Sequence, residues 1–307
     1  MKDPFERNHK PLVGEPLDLT PALQVVTAPN ASPMTFTGTQ TYLLGKDAVA
    51  VIDPGPDNDA HFDALLAALR GRPVSHILIT HSHIDHSPLS RRLAEHTHAP
   101  ILAFGTAHEA RSPIMEQLAA SGDLGGREGT DEDFRYDRKI THGQTISGDG
   151  WELEAIHTPG HLSNHLCFAW GGMGAVFTGD HVMGWATTMV SPPDGDLTEY
   201  MASMHRLAAR GDDRTYYPGH GGAVHDPMGM VSHQIGHRNM RENQILEKLK
   251  QGTATPSELT ALIYTDVDPR LLPAATRNVF AHLIDLHERT IVTSDGDIWQ
   301  GSRFALK

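Results

Sequence analysis

The segment Thr80-His81-Ser82-His83-Ile84-Asp85-His86 places three imidazoles and a carboxylate within six residues, directly after the apolar run Ile77-Leu78-Ile79. Imidazole nitrogen and carboxylate oxygen are good ligands for a borderline ion such as Zn²⁺. Three later segments repeat one pattern: Thr158-Pro159-Gly160-His161, Thr178-Gly179-Asp180 and Pro218-Gly219-His220. Each sets a potential ligand directly after a glycine, and each follows an apolar or β-rich stretch. A strand end would deliver one ligand into a shared site in this way, the glycine letting the backbone turn sharply. Together the four segments supply His81, His83, His86, His161, His220, Asp85 and Asp180, enough for two metal ions with a position left open for water.

The order HxHxDH, then His, then Asp, then His resembles the metallo-β-lactamase superfamily of binuclear metallohydrolases. The resemblance runs from about Thr39 to His220. It implies an αββα sandwich, with two facing sheets and helices outside. It further implies that His81, His83 and His161 hold a first metal, that Asp85, His86 and His220 hold a second, and that Asp180 bridges them. A carboxylate has two oxygens and can span two ions about 3.5–4 Å apart. Two such ions can share a hydroxide whose pKa falls towards neutrality, and this would attack a carbonyl or phosphoryl centre. Asp85 is also placed to orient the nucleophile and carry its proton. Two Zn²⁺ are the expected cofactors, with Mn²⁺ or Fe²⁺ as alternatives because carboxylates suit harder ions.

The elements that must position these ligands can be read from periodicity. Ala22–Ala28, Thr41–Leu44, Ala48–Ile52, Val74–Thr80 and Ile101–Phe104 read as strands, as do Trp151–His157, His165–Ala169, Ala175–Thr178 and Thr215–Tyr217. Helical faces are expected over Asp57–Arg70, Ser87–Glu95 and Leu197–Ala209. Alternating strands and helices indicate an α/β protein. Residues 1–20 are polar and Pro-rich and read as a loose N-terminal arm. Residues 105–135 lose the alternation and read as a helical insertion with a loop at Gly122–Gly129, either a lid or a surface excursion.

A second unit is expected from about His233, dividing the chain into an arm (1–20), a catalytic domain (21–232) and a tail (233–307). Helices are expected over Gln234–Gln251, from the capping box Thr255-Pro256-Ser257-Glu258 to Tyr264, and over Leu271–Arg289. Ile291–Val292 and Ile298–Gln300 flank Ser294-Asp295-Gly296-Asp297, a hairpin turn signal. Three helices and a hairpin resemble a winged helix.

Charge bears on the partner. The chain has 307 residues and a formal charge of −13. From His233 to Lys307 it carries nine Lys/Arg and nine Asp/Glu, so the excess acid lies in residues 1–232. Nucleic-acid binders usually show a basic patch. The tail's third helix offers Arg277 and Arg289 but also Asp285 and Glu288, which weighs against DNA. The one cysteine, Cys167, excludes an internal disulfide and reads as a core thiol. No apolar run approaches the roughly 20 residues of a membrane span, and the first residues lack an apolar signal core. These features suit a reducing cytoplasm.

Asp180 narrows the resemblance. True β-lactamases of the superfamily typically have Cys or Ser in that region, so the full set looks more like glyoxalase II enzymes and phosphodiester-cleaving branches. With the tail, it resembles the branch that includes a mitochondrial endoribonuclease and many bacterial hydrolases. The expected activity is hydrolysis of a small acyl substrate, such as an ester, thioester, lactone or lactam. An RNA endonuclease is the alternative, and a non-catalytic metal or nucleic-acid binder the third reading. Asn164 and Trp185 are expected to meet substrate, and His165 could face it too. Thr80 and Asp53 are expected to orient ligating imidazoles, and the segment 32–39 to form a loop over the metals. A homo-oligomer stays open, as does whether the tail covers its own chain's pocket or a neighbour's.

Overall fold

A computed structural model describes residues 3–122, 129–266 and 268–307. Two sheets face each other. The first holds β1 (Pro16–Thr20), β2 (Leu23–Thr27), β3 (Gln40–Leu44), β4 (Val49–Ile52), β5 (Val74–Leu78), β6 (Ile101–Ala103) and β7 (Arg138–Lys139) in sequence order. Its first four strands are antiparallel, and β4 to β7 run parallel. The second holds β8 (Thr145–Gly148), β9 (Trp151–His157), β10 (Leu166–Trp170), β11 (Ala175–Gly179) and β12 (Thr215–Pro218), with β11 and β12 parallel.

Three cores define the layers. Between the sheets, Leu23, Tyr42, Leu44 and Ile52 meet Leu153, Leu166, Phe168 and Phe177. Behind the first sheet, Val49, Val51 and Ile77 bury the apolar faces of α1 (Asp59–Leu69) and α2 (Leu89–Thr97), through Phe62, Leu65, Leu89 and Leu93. Behind the second, Cys167, Val176 and Tyr216 pack on α4 (Leu197–Ala208) and the start of α5 (Pro227–Leu249). Strands buried on both faces read as continuous apolar runs, which is why β4, β10 and β11 are plain in the sequence.

The tail contains α6 (Pro256–Ile263), α7 (Leu272–Glu288), β13 (Val292–Ser294) and β14 (Phe304–Leu306). The capping box forms as expected: Thr255 Oγ1 accepts from Glu258 N, and Glu258 accepts from Thr255 N. Helix α5 starts seven residues before the expected Gln234. It runs unbroken past 232–233, from Met230 and Val231 in the outer core to Ile245 and Leu249 in the tail's own core. That core also takes Met115 and Leu118 of α3 (Pro113–Ser121), so the excursion packs on the tail. Residues 123–128 of the loop expected at Gly122–Gly129 lie outside the described residues.

Two expectations need correction. The N-terminal arm is not loose: β1 pairs with β2, Glu6 N donates to Gly184 O, and Phe5 packs edge-on against His233. An exposed edge strand carries little apolar signal, so β1 is faint in the sequence. The hairpin returns later than expected. Ser294 pairs with Phe304, leaving Ile298–Gln300 in the connecting loop. Phe304, fully buried, holds the return strand in the tail's core.

Candidate metal centre

The predicted ligands come together at one end of the two sheets. The turn after β5 supplies His81, His83, Asp85 and His86. The ends of β9, β11 and β12 lead to His161, Asp180 and His220. Three sets of ligand atoms lie within 4.8 Å of one another: His81, His83 and His161; Asp85, His86 and His220; and Asp53, His81 and His86.

The first set is a knot of imidazoles. His83 Nδ1 lies 3.0 Å from both His81 Nε2 and His161 Nε2. The second is mixed. His220 Nε2 lies 3.2 Å from Asp85 Oδ2 and 3.3 Å from Asp180 Oδ2. Asp180 reaches both sets, with Oδ2 3.7 Å from His161 Nε2 and Oδ1 3.5 Å from His86 Nε2. The third set is no separate site. Asp53 Oδ1 accepts from Thr80 N at 2.8 Å, and Oδ2 accepts from Thr80 Oγ1 at 2.6 Å and lies 2.9 Å from His86 Nδ1. Its oxygens are already spent on positioning.

This positioning follows one rule. His161 Nδ1 faces Met189 O at 2.9 Å, His220 Nδ1 faces Gly38 O at 3.3 Å, His86 Nδ1 faces Asp53, and His81 Nδ1 faces Thr80 Oγ1 at 3.0 Å. A proton on each outer nitrogen fixes the tautomer and turns the Nε2 lone pair to the centre. Thr80 relays the effect, since its hydroxyl donates to Asp53 while it accepts from His81. Asp53 therefore steers two ligands, from a backbone held at φ 51°.

Protonation tracks the same division. Burial, then the His86, His83 and His161 imidazoles, holds His81 well below its ordinary pKa. Burial and His161 bring His83 down to about 3. In the mixed set burial is overcome by carboxylates. Asp85, Asp180 and Asp53 raise His86 to about 9, and Asp180 with Asp85 raises His220 well above its usual range. Burial would lift Asp180 and Asp85, but His220 and His86 hold both carboxyls low. Buried lone pairs thus converge on a space that cations would neutralise. Two buried atoms aimed there, His86 Nε2 and Asp180 Oδ1, have no hydrogen-bond partner among the described residues. The donor set fits divalent ions.

The glycines preceding the ligands serve more than turning. A Cβ at Gly219 would lie 2.4 Å from Asp180 Oδ1 and 2.6 Å from His86 Cε1, so a side chain there would fill the centre. At Gly160, with φ +134°, a Cβ would lie 2.3 Å from Tyr200 Cα.

The residues expected to meet substrate lie away from the cleft. Asn164 does not line the cleft. It is buried behind the HxHxDH turn, where Nδ2 donates to Ser82 Oγ and Gly105 O at 2.9 Å each. Trp185 is absent from the cleft lining and stacks on Phe36, with ring centroids 4.9 Å apart. His165 faces inward, where its Nε2 accepts from Asp180 N at 3.2 Å and its Nδ1 meets Thr158 Oγ1. It positions the backbone of Asp180, a role no sequence signal gave.

Above the centre lies a cleft of about 590 Å³. His83, Asp85, His161, Asp180 and His220 line its floor. Its walls come from Ser32, Met34 and Thr35, from Met189, Ser191 and Asp194, and from Arg270, Leu271, Pro273, Ala274 and Arg277. The expected loop at 32–39 does overhang the ligands, and the tail covers the cleft of its own chain.

The metallo-beta-lactamase superfamily's sequence model matches residues 34–220, more than half of the chain. The chain belongs to the metallo-beta-lactamase superfamily. A second model, the beta-lactamase associated winged helix domain, matches residues 255–299. The tail is thus a winged helix, and the layers are the superfamily's fold. A beta-lactamase-like protein 2 homolog of Drosophila melanogaster is 29% identical, with 88% of this chain and 89% of that one covered. An atrochrysone carboxyl ACP thioesterase of Aspergillus fumigatus is 30% identical, with 80% and 74% covered. Among solved structures, a beta-lactamase domain protein from Burkholderia ambifaria superposes with a TM-score of 0.79 at 18% identity, covering 98% of this chain and 96% of that one. The chain is a hydrolase of this superfamily with a cluster of His and Asp suited to divalent metal. No helix among the described residues is long and apolar enough to cross a membrane.

Proposed function

We propose that this chain is a binuclear zinc hydrolase of small acyl substrates, an ester, thioester, lactone or lactam. In this reading residues 21–232 form the catalytic domain and 233–307 an attached module. His81, His83 and His161 hold one ion, Asp85, His86 and His220 the other, and Asp180 lies between them. An imidazole-rich set favours zinc over harder ions. When bound, the ions supply Lewis acidity and water made nucleophilic at neutral pH.

The chain's own residues do the rest. Asp53 and Thr80 hold the His81 and His86 rings in the ligating tautomer, and His165 fixes the backbone of Asp180. Asp85 Oδ2 is held by Thr39 Oγ1 at 3.3 Å and His220 Nε2 at 3.2 Å, while no described group donates to its Oδ1. That oxygen can accept a proton from attacking water and pass it to the leaving group.

The observation that carries the acyl reading is the cleft. It is a space of about 590 Å³, within the range of small-molecule sites, and Met34, Met189, Leu271 and Pro273 give it apolar walls. The similar thioesterase adds support. RNA is a poorer fit. The acid excess of residues 1–232 opposes a polyanion, whose binders usually show a basic patch.

The test loads the full chain with zinc, measures metal by mass spectrometry, and offers a panel of thioesters, lactones and short single-stranded RNA. We expect two ions per chain and acyl hydrolysis. His86→Ala should lower kcat/KM by more than the roughly 10–100-fold that loss of an outer-shell partner costs. RNA cleavage that disappears in the variant, with acyl substrates untouched, would sink the reading.

A further inference from the structure

Arg277 stands apart from the other arginines. Among the described residues it is the half-buried arginine with no hydrogen bond, ion pair or ring contact. The remaining buried or half-buried arginines are all engaged. Arg72 holds Gln24 and backbone carbonyls, Arg92 Asp59, Arg111 Asp194, Arg210 Asp213, Arg238 Asn278, and Arg241 Gln244. A guanidinium cannot shed its charge, so a partly desolvated one without an acceptor is costly.

The acids that line the cleft are committed elsewhere, Asp85 and Asp180 to the ligand cluster. The positions three and four residues away along α7 are Pro273, Ala274, Phe280 and Ala281. Asp268 is taken by Arg270, through contacts of 2.6 and 3.1 Å. Asp194 also lines the cleft, but Oδ1 is bound to Arg111 and Oδ2 accepts from Thr130 at 3.3 Å. The same wall carries the start of α7. Leu271, Pro273 and Ala274 line the cleft with Arg277. The wall opposite the ligand cluster is thus cationic in a chain of charge −13.

We propose that Arg277 recognises an anionic group, a carboxylate or a phosphate, on the part of the substrate remote from the reacting carbonyl. The substrate class is then an acyl compound with a charged end, which spans the cleft from the metal centre to α7. This rests on the acyl-hydrolase reading for the other end of the molecule, but the anion contact is measurable without turnover.

Three non-hydrolysable thioethers of equal length serve as probes, ending in a neutral amide, a carboxylate or a phosphate monoester. Each is titrated calorimetrically into the zinc-loaded full chain, wild type and Arg277→Gln, after both are shown to melt alike and hold equal zinc. One anionic probe is expected to bind wild type roughly tenfold or more tighter than the amide. The Gln variant should abolish that preference while binding the amide within about twofold, and Arg277→Lys should restore part of it. Which anion is preferred tells whether the charge is a carboxylate or a phosphate. Anion preference that survives in Arg277→Gln, equal losses for all three probes, or no anion preference in wild type would overturn the proposal. Turnover of matching thioesters is scored separately. Its absence, with the binding pattern intact, would remove the acyl-hydrolase reading and leave the anion contact.

Discussion

On the floor of the cleft, four of the imidazoles have the outer nitrogen tied to a chain acceptor, and these acceptors are themselves buried or bonded. On the outer walls, Met34 and Leu271 are 56% and 50% exposed, Arg270 is spent on its own neighbour Asp268, and Arg277 has no partner. Asp180 follows directly on a strand end, and the other ligands sit two to eight residues beyond one. Supports come from strand ends for His81 and His86, and from loops, Met189 O and Gly38 O, for His161 and His220. The walls are assembled from the 32–35 loop, the 189–194 segment and a helix nearly two hundred residues later in the chain. A site that must hold reacting atoms to a fraction of an ångström needs bonded supports. Walls that choose among substrates can change without disturbing them.

The junction of the two regions offers the largest effect. Arg111 and Asp194 form an ion pair with side chains only 5% and 7% exposed, between the excursion and the cleft wall. Breaking a buried pair leaves an uncompensated charge, at about 3–5 kcal/mol. Arg111→Met, which keeps the volume, should lower unfolding stability by about that amount in urea. Zinc content should stay at the wild-type level, because no ligand touches the pair. A loss below about 1 kcal/mol would mean that the wall is held by packing of α3 on the tail instead.

Asp53→Asn probes the floor. The amide can still bond to Thr80, but it cannot present two acceptor oxygens, so one of Thr80 and His86 loses its anchor. Zinc affinity should fall roughly 10–100-fold, as measured by competition with a chelator. Wild-type affinity in the variant would show that the imidazoles are oriented by packing alone, and the contrast between floor and wall would weaken.

The same contrast explains what could be read from the sequence. His81, His83, Asp85 and His86 are dense in ligand chemistry, and the apolar run Ile77-Leu78-Ile79 comes directly before Thr80 and the ligands, so ligand and support announce each other. Gly160, Gly179 and Gly219 mark the other ligands because a Cβ at Gly179 or Gly219 would collide with residues of the site and one at Gly160 with Tyr200 of α4. Asn164 was misplaced because nearness to His161 in sequence says nothing of which side of the turn it faces. It lies behind, bonded to Ser82 and Gly105. Trp185 found an aromatic partner in Phe36, from a loop 149 residues earlier, which periodicity cannot foresee. The sequence offers Arg277 only as one of the charged residues of the tail's third helix, because helical spacing does not reveal what lies across from it. Only the tertiary packing of α7 on the catalytic layers, with Ala281 in the outer core and Thr198 bonded to Asp285 at 2.8 Å, turns it to the cleft.

The smallest effect belongs to Met34. Its side chain lines the cleft but is largely exposed, so truncation removes little buried surface. Met34→Ala should therefore change stability by no more than about 0.5 kcal/mol and leave zinc affinity untouched. If Met34 touches substrate equally before and during reaction, KM should rise about threefold with kcat unchanged. A drop in kcat instead would tie the 32–35 loop to the reacting groups. Thr35, whose hydroxyl is hydrogen-bonded to Ser32 Oγ and donates to Asn30 O, would then be the route by which that loop reaches Thr39 and Asp85.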